Sequence, residues 1–536
     1  MDLLKIVNDM SLEELAGQVL CYDISPKDNP DEVIEVINKI KPGGIFLTGM
    51  NKERISLYID AVNRVTKAPA IVASDIENGP DTAVAGAGLF PNAMAWGACD
   101  DPDLIREAGS VTAKICRKNG VSWTYSPVVD INYNFRSPEI GIRSISDNPD
   151  QVIKMASAFI DGAEENGYLI TTCKHFPGQG RDERNSHFVT TINDMSKEEW
   201  RNTYGKVYKE MIKKGISSIM ISHGALPAFE DDYDEVLGPP PAVLSYNLMT
   251  KLLKEELGFE GCLVSDAMSM IGVCSRVDDL STLAVRFLNA GGDMVLFPEP
   301  TDYDNIIKAV KDGVLPIERL KDAVLRVLKL KNRARLFENQ EKLLEEIDED
   351  IKLSPISQKI ADKSIKVVRN LQNVIPANLK IGSKILMVNI VEPHYHAKPT
   401  NHEYDALKDE FVKEGMFVDV YTNISHRQVK EIMDNYDLVL INCNFAPHNY
   451  HGATMRVGWN NIHLFWRGYI LQHPKVIFTS FGDAYKLFDF PYLKNYINAF
   501  SFVEESQRAV AKLIMGKIKP QGKNPVDFPP FFNREV

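Results

Sequence analysis

Tyr168-Leu169-Ile170-Thr171-Thr172-Cys173-Lys174-His175-Phe176-Pro177-Gly178-Gln179-Gly180 is the stretch on which the fold turns. Its first six residues are apolar or β-branched and read as a buried strand. Then come a base, an imidazole and three positions, Pro177, Gly178 and Gly180, that interrupt regular structure. Asn185-Ser186-His187 follows in the same loop. Polar side chains therefore gather where a strand ends, the edge at which α/β folds bind ligands. Working outward, continuous apolar runs recur at 44–48, 70–75, 123–130, 218–223, 262–266 and 294–297, with helical patterns between them at 150–165, 197–214 and 247–257. Continuous rather than alternating runs mark strands buried on both faces. The βα repetition from about residue 40 to 330 predicts a (β/α)8 barrel. Seven strands are evident, so the first or the last lies outside these runs.

A helix-rich acidic stretch at 317–351 leads to a second alternating region, with apolar runs at 384–389, 417–421, 437–441 and 476–480. This predicts a three-layer αβα sandwich. The expected division is a catalytic barrel over 1–335, a linker over 336–365, the sandwich over 366–520 and a tail over 521–536. A chain of 536 residues exceeds what one core supports, in keeping with two domains. The formal net charge of −12 argues against nucleic acid as a partner. No apolar run reaches the length of a membrane span, and the acidic N-terminus lacks the pattern of a signal peptide. Cys173, Cys262 and Cys443 lie in strand-like runs and read as reduced core thiols. A cytoplasmic monomer or homodimer is expected.

The barrel reading sets Asp75, Asp130, Lys174, His175, His223 and Asp266 at the C-terminal ends of strands. One such residue can be structural; Asp266 alone reads equally well as a helix N-cap. Six on one rim point to a site. Carboxylates and basic donors in one cleft suit a sugar, whose hydroxyls need acceptors and donors at fixed angles. His394, His396 and His402 match no ligand spacing and read as a surface loop, so no metal is expected. Gly79, Gly86 and Gly88 lack the dinucleotide spacing, so no cofactor is expected either. The 459–466 region, bounded by two tryptophans, reads as packing in the second domain.

The run Lys174-His175-Phe176-Pro177-Gly178-Gln179-Gly180 with Asn185-Ser186-His187, and Gly261-Cys-Leu-Val-Ser-Asp266, resembles the N-terminal domain of the family 3 glycoside hydrolases, in particular the β-N-acetylhexosaminidase branch. That branch carries Lys-His-Phe-Pro-Gly-His-Gly and then Asp-Ser-His at the same spacing. The resemblance implies a retaining exo-β-glycosidase, most simply a β-N-acetylglucosaminidase acting on a small carbohydrate. It assigns Asp266 as nucleophile and His187 as acid/base, with Asp75, Arg143, Lys174 and His175 binding substrate and Asp130 and His223 positioning or binding. Two residues depart from the family. Asn185 replaces the aspartate of the acid/base dyad and Gln179 replaces the second histidine of Gly-His-Gly. Asparagine accepts a hydrogen bond but brings no charge to support an imidazolium. Pro80 and Ala83 stand where the closest branch has arginines. Three alternatives stay open: a β-glucosidase taking its acid from Glu504 or Glu505, a glycoside phosphorylase, and a weakly active or non-catalytic sugar-binding protein.

Overall fold

The structure is a computed structural model. It describes residues 1–231, 233, 235–348, 350–391, 402–445 and 468–528. His394, His396 and the 459–466 region lie outside the described residues, as does the end of the tail. The chain divides into two compact units. The first comprises 1–88, 105–131 and 156–353, and the second comprises 89–104, 132–155 and 354–536.

Among its described residues the first unit has eight parallel strands: β1 (Leu20–Ile24), β2 (Gly44–Leu47), β3 (Ile71–Ser74), β4 (Trp123–Thr124), β5 (Thr172–Phe176), β6 (Ser218–Ile221), β7 (Cys262–Ser265) and β8 (Val295–Leu296). They form two ladders, β4-β3-β2-β1-β8 and β5-β6-β7. Parallel bridges Trp123↔Ile170 and Val264↔Met294 join the ladders at both ends, which closes the barrel. The strand not evident from sequence is the first. Leu20-Cys-Tyr-Asp-Ile24 carries polar Asp23 in its middle, which breaks the apolar run.

Alternation along the strands sorts the core. Phe46, Ile71, Ala73, Trp123, Ile170, Met220, Val264 and Leu296 share one buried cluster with residues of β1 and of helix Ile317–Arg333. Ile45, Leu47 and Val72, one position out of step, pack in another with helices Pro30–Ile40 and Lys52–Val65. The first cluster draws on seven of the eight strands and on Ile170 just before β5, as the filled interior of a small barrel does. The predicted helix over 197–214 is two helices, Lys197–Asn202 and Tyr204–Lys214, broken at Thr203.

The second unit holds a six-stranded sheet of order β11-β10-β12-β13-β14-β9. Its strands are β9 (Lys366–Asn370), β10 (Lys384–Ile390), β11 (Phe417–Thr422), β12 (Leu438–Cys443), β13 (Val476–Ser480) and β14 (Asn495–Asn498). All pairs are parallel except the edge strand β9 on β14. Ile385, Met387, Leu438, Leu440 and Ile477 face one cluster with helices Asp405–Lys413 and Glu504–Ile514. Leu386, Val388, Val439, Ile441 and Phe478 face the other with helices Ala93–Cys99 and His426–Ile432. Period-two alternation with apolar residues on both faces gives the three layers of an αβα sandwich. Among the described residues no helix is long and apolar enough to cross a membrane.

Candidate active site

Asp75, Asp130, Lys174, His175, Asn185, His187, His223 and Asp266 belong to the first unit. Arg143 belongs to the second, where it ends the short helix Gly141–Arg143 and donates to Glu139 O at 3.1 Å. Asp75 directly follows β3 and Asp266 directly follows β7. His223 lies two residues past β6, and Lys174 and His175 are in the C-terminal half of β5. Asp130 lies past β4, held beside β5 by the Val128↔Lys174 bridge and by Val129 N–H donating to Lys174 O at 2.9 Å.

Lys174 has only 3% of its side chain exposed, and its Nζ lies 2.6 Å from Asp75 Oδ1 and 2.6 Å from Glu77 Oε1. A buried ammonium is costly unless paired, and here two carboxylates flank it. Asp75, 44% exposed, keeps much of its surface for a ligand. Asp130 is fully buried and accepts three N–H groups: His175 Nδ1 at 2.7 Å, His175 N at 3.1 Å and, on its other oxygen, Gln179 N at 2.7 Å. A carboxylate so engaged sets the imidazole orientation and leaves Nε2 of His175 as the ring's outer nitrogen.

The loop after β5 needs its glycines. Gly178 has φ +120°, and a Cβ there would sit 2.2 Å from the Tyr204 ring; at Gly180, φ +101°, it would meet Ile131 O at 2.3 Å. Tyr204 is fully buried and its hydroxyl lies 2.5 Å from Gln179 O in the loop and 3.3 Å from Ile131 O, which ties the loop to the segment past β4. Further on, Asn185 Oδ1 accepts both His187 N at 2.9 Å and His187 Nδ1 at 2.8 Å. The backbone N–H can only donate, so it settles which amide atom is the oxygen. Nδ1 of His187 therefore carries a hydrogen, which makes Nε2 the ring nitrogen on the side away from Asn185. Gln179 Nε2 reaches Ser186 Oγ at 3.4 Å, bracing the same tripeptide. Asp182 is occupied elsewhere in the loop: it takes Arg184 and the Ile192 N–H.

His187 and Asp266 are brought together through the segment after β7. Thr190 Oγ1 donates to Gly272 O at 2.8 Å, and a Cβ on Gly272 would lie 2.1 Å from Ser186 O. Burial is the largest single influence on the half-buried Asp266 and opposes its ionisation. The fields of His223 and His175, the Ala267 N–H at 2.8 Å and the field of His187 together outweigh it, holding the carboxyl below the usual carboxylate range. His223 is fully buried and donates from Nε2 to Ala267 O at 2.8 Å, locking it against the Asp266 segment.

Sequence reasoning missed Glu77 and the bracing role of Gln179. The signal for Glu77 was present as Asp75-Ile76-Glu77, but only folding shows both carboxylates on one lysine. Glu504 is exposed and pairs with Arg508. Glu505, nearby on the same helix, is pushed up by burial. His402 is exposed, with Asp405 as its partner, and no metal-binding group occurs among the described residues.

The family model described as the glycosyl hydrolase family 3 N terminal domain matches residues 11–330. A β-N-acetylglucosaminidase/β-glucosidase from Cellulomonas fimi is 28% identical over 97% of this chain and 94% of its own length. β-Hexosaminidase A from Pseudoalteromonas piscicida is 29% identical over 57% of this chain and 55% of its own. Among solved structures, the β-glucoside phosphorylase BglX superposes with a TM-score of 0.86 at 27% identity, covering 98% of this chain and 96% of the other. A β-N-acetylglucosaminidase from Paenibacillus shares the fold, with a TM-score of 0.81 at 21% identity over 96% of this chain and 99% of the other. With the family model spanning the whole barrel, the chain belongs to glycoside hydrolase family 3.

Proposed function

We propose that the protein is a retaining exo-β-glycosidase, with a terminal β-N-acetylglucosaminide as its leading substrate and residues 1–335 as its catalytic domain. Asp266 attacks the anomeric carbon while His187 Nε2 gives a proton to the departing oxygen. In the second step His187 takes a proton from water, which releases the sugar from Asp266. Asp75, Lys174 and His175 bind sugar hydroxyls. Asp130 and His223 orient the site. The observation that carries this reading is the placement of Asp266: its carboxyl directly follows β7 and accepts the Ala267 N–H at 2.8 Å, and the fields of His223, His175 and His187, the last bonded to Asn185, favour its ionised form. An ionised, uncrowded carboxylate is what a nucleophile requires. Seven free thiols support a reducing, cytoplasmic setting.

A second reading, phosphorolysis, is favoured by Asn185. A neutral partner leaves no carboxylate beside His187 to repel an incoming phosphate dianion, and a relative of nearly equal length is named a β-glucoside phosphorylase. Turnover of nitrophenyl β-N-acetylglucosaminide and β-glucoside, each with and without phosphate, separates the readings. Free sugar at an unchanged rate supports hydrolysis; sugar 1-phosphate with a phosphate-dependent rate supports phosphorolysis. No release from either glycoside under both conditions overturns glycoside cleavage.

A further inference from the structure

The loops around His187 and Asp266 carry an unusual surface. Phe188 is 48% exposed, Val189 37%, Val236 92%, Leu237 51% and Ile271 55%. They come from three loops that follow β5, β6 and β7. The loops are tied together by side-chain donors on main-chain carbonyls and by one close backbone approach. Thr190 Oγ1 holds Gly272 O, and the Gly272 Cα lies against the Ser186 and Val189 carbonyls. The Arg276 guanidinium gathers the carbonyls of Leu237, Gly238 and Pro239. Arg276 also borders a depression of ≈ 450 Å³ lined by Pro240, Pro241, Leu244, Tyr246, Arg286 and Asn289. Two of the nearby arginines are paired, Arg181 with Asp194 and Arg184 with Asp182. Scattered exposed apolar residues need no explanation, but a cluster beside reacting groups does.

We propose that Phe188, Val189, Ile271 and the Val236–Leu237 pair form the platform that receives the leaving group, so that the preferred substrates are β-glycosides of apolar alcohols rather than of a second sugar. This rests on His187 being the acid. The proton donor must reach the glycosidic oxygen, and whatever hangs from that oxygen then lies over the residues next to His187. Phe188 and Val189 are those residues, and Ile271 stands beside them. Phe188, Val189 and Ile271 offer no side-chain partner to the hydroxyls of a sugar placed on them, and unpaired polar groups cost affinity. An alkyl or aryl group would bury carbon against carbon.

The test compares methyl, butyl, hexyl and octyl β-glycosides of the sugar that proves active. Their alcohols differ little in acidity, so chain length reports burial rather than chemistry. Half-burial of each methylene predicts that kcat/KM rises about two-fold per added carbon. Phe188→Ser and Ile271→Ser, made separately on different loops, each lower the octyl-to-methyl ratio by about three-fold or more. A flat series in the active wild type, or cellobioside-type substrates outrunning octyl ones, overturns the platform while leaving glycoside cleavage standing. An unaltered ratio in both variants, together with a changed oligomeric state by light scattering, assigns the patch to self-association and also overturns it. If no glycoside is cleaved at all, the platform falls together with the reading it rests on.

Discussion

Replacing Lys331 by methionine stabilises the protein most at acid pH, and the pH dependence of that gain is set by one buried amine. Lys331 lies on helix Ile317–Arg333 and is fully buried. Its Nζ donates to Gln18 Oε1 at 2.7 Å, and Gln18 precedes β1, at the end of the barrel opposite the catalytic rim. Burial is the main influence and pushes the amine from its ordinary 10.5 down to about 7, while the nearby Cys21 thiol, itself pushed up to about 12, is a lesser influence. The unfolded chain keeps the proton up to about pH 10.5, the folded chain only up to about 7. Unfolding therefore takes up a proton between these values, and stability rises with pH across the window. Below about pH 7 both states are protonated and the whole penalty is present. At about 1.36 kcal/mol per pH unit it comes to about 5 kcal/mol; by pH 9.5 only about 1.4 kcal/mol of it remains. Methionine removes the penalty but leaves Gln18 Oε1 without its donor, which costs about 1–3 kcal/mol at every pH. Pairing Lys331→Met with Gln18→Leu removes that cost as well. Urea unfolding of wild type and double variant at pH 6 and pH 9.5 is the assay. The gain should be larger at pH 6 by about 3 kcal/mol. An equal gain at both pH values, or a larger one at pH 9.5, refutes a neutral buried lysine.

Two further outcomes concern the acid/base loop. His187→Ala should lower kcat/KM for glycosides of poor leaving groups by about 10²–10⁴-fold and for nitrophenyl glycosides far less, because only the former need a proton in the first transition state; equal loss of kcat/KM for both places the acid elsewhere. Asn185→Asp puts a charge where Oδ1 now contacts the His187 ring, so the alkaline limb of the pH–rate profile should move upward and cleavage of unactivated glycosides should quicken. A profile superimposable on wild type removes position 185 from the proton-transfer machinery.

Much of the fold was legible because buried parallel strands announce themselves as continuous apolar runs, and 44–48, 218–223 and 262–266 did so. Strand β1 did not, because Asp23 interrupts it. Nor did sequence show that 89–104 and 132–155 join the second unit. Local periodicity identifies an element but not the distant surface it packs on. Of the site, strand-end placement of Asp75, Asp130, Lys174, His175, His223 and Asp266 followed from the barrel pattern alone. The Asn185–His187 hydrogen bond was anticipated only through the resemblance to the family's Asp-Ser-His, where an aspartate stands beside the imidazole. Glu77 was not, because its partner Lys174 is far away in sequence. The exposed apolar residues of three separate loops were invisible for the same reason.

The central claim is a covalent glycosyl-enzyme on Asp266, and trapping it is the most direct measurement. The protein is incubated with a fluoro-sugar bearing an activated leaving group, quenched in acid, digested and analysed by peptide mass spectrometry. The account predicts one added glycosyl unit on the peptide containing Asp266, formed at the rate of inactivation and absent from Asp266→Asn. Inactivation with the adduct on another residue, or equal labelling of Asp266→Asn, contradicts it.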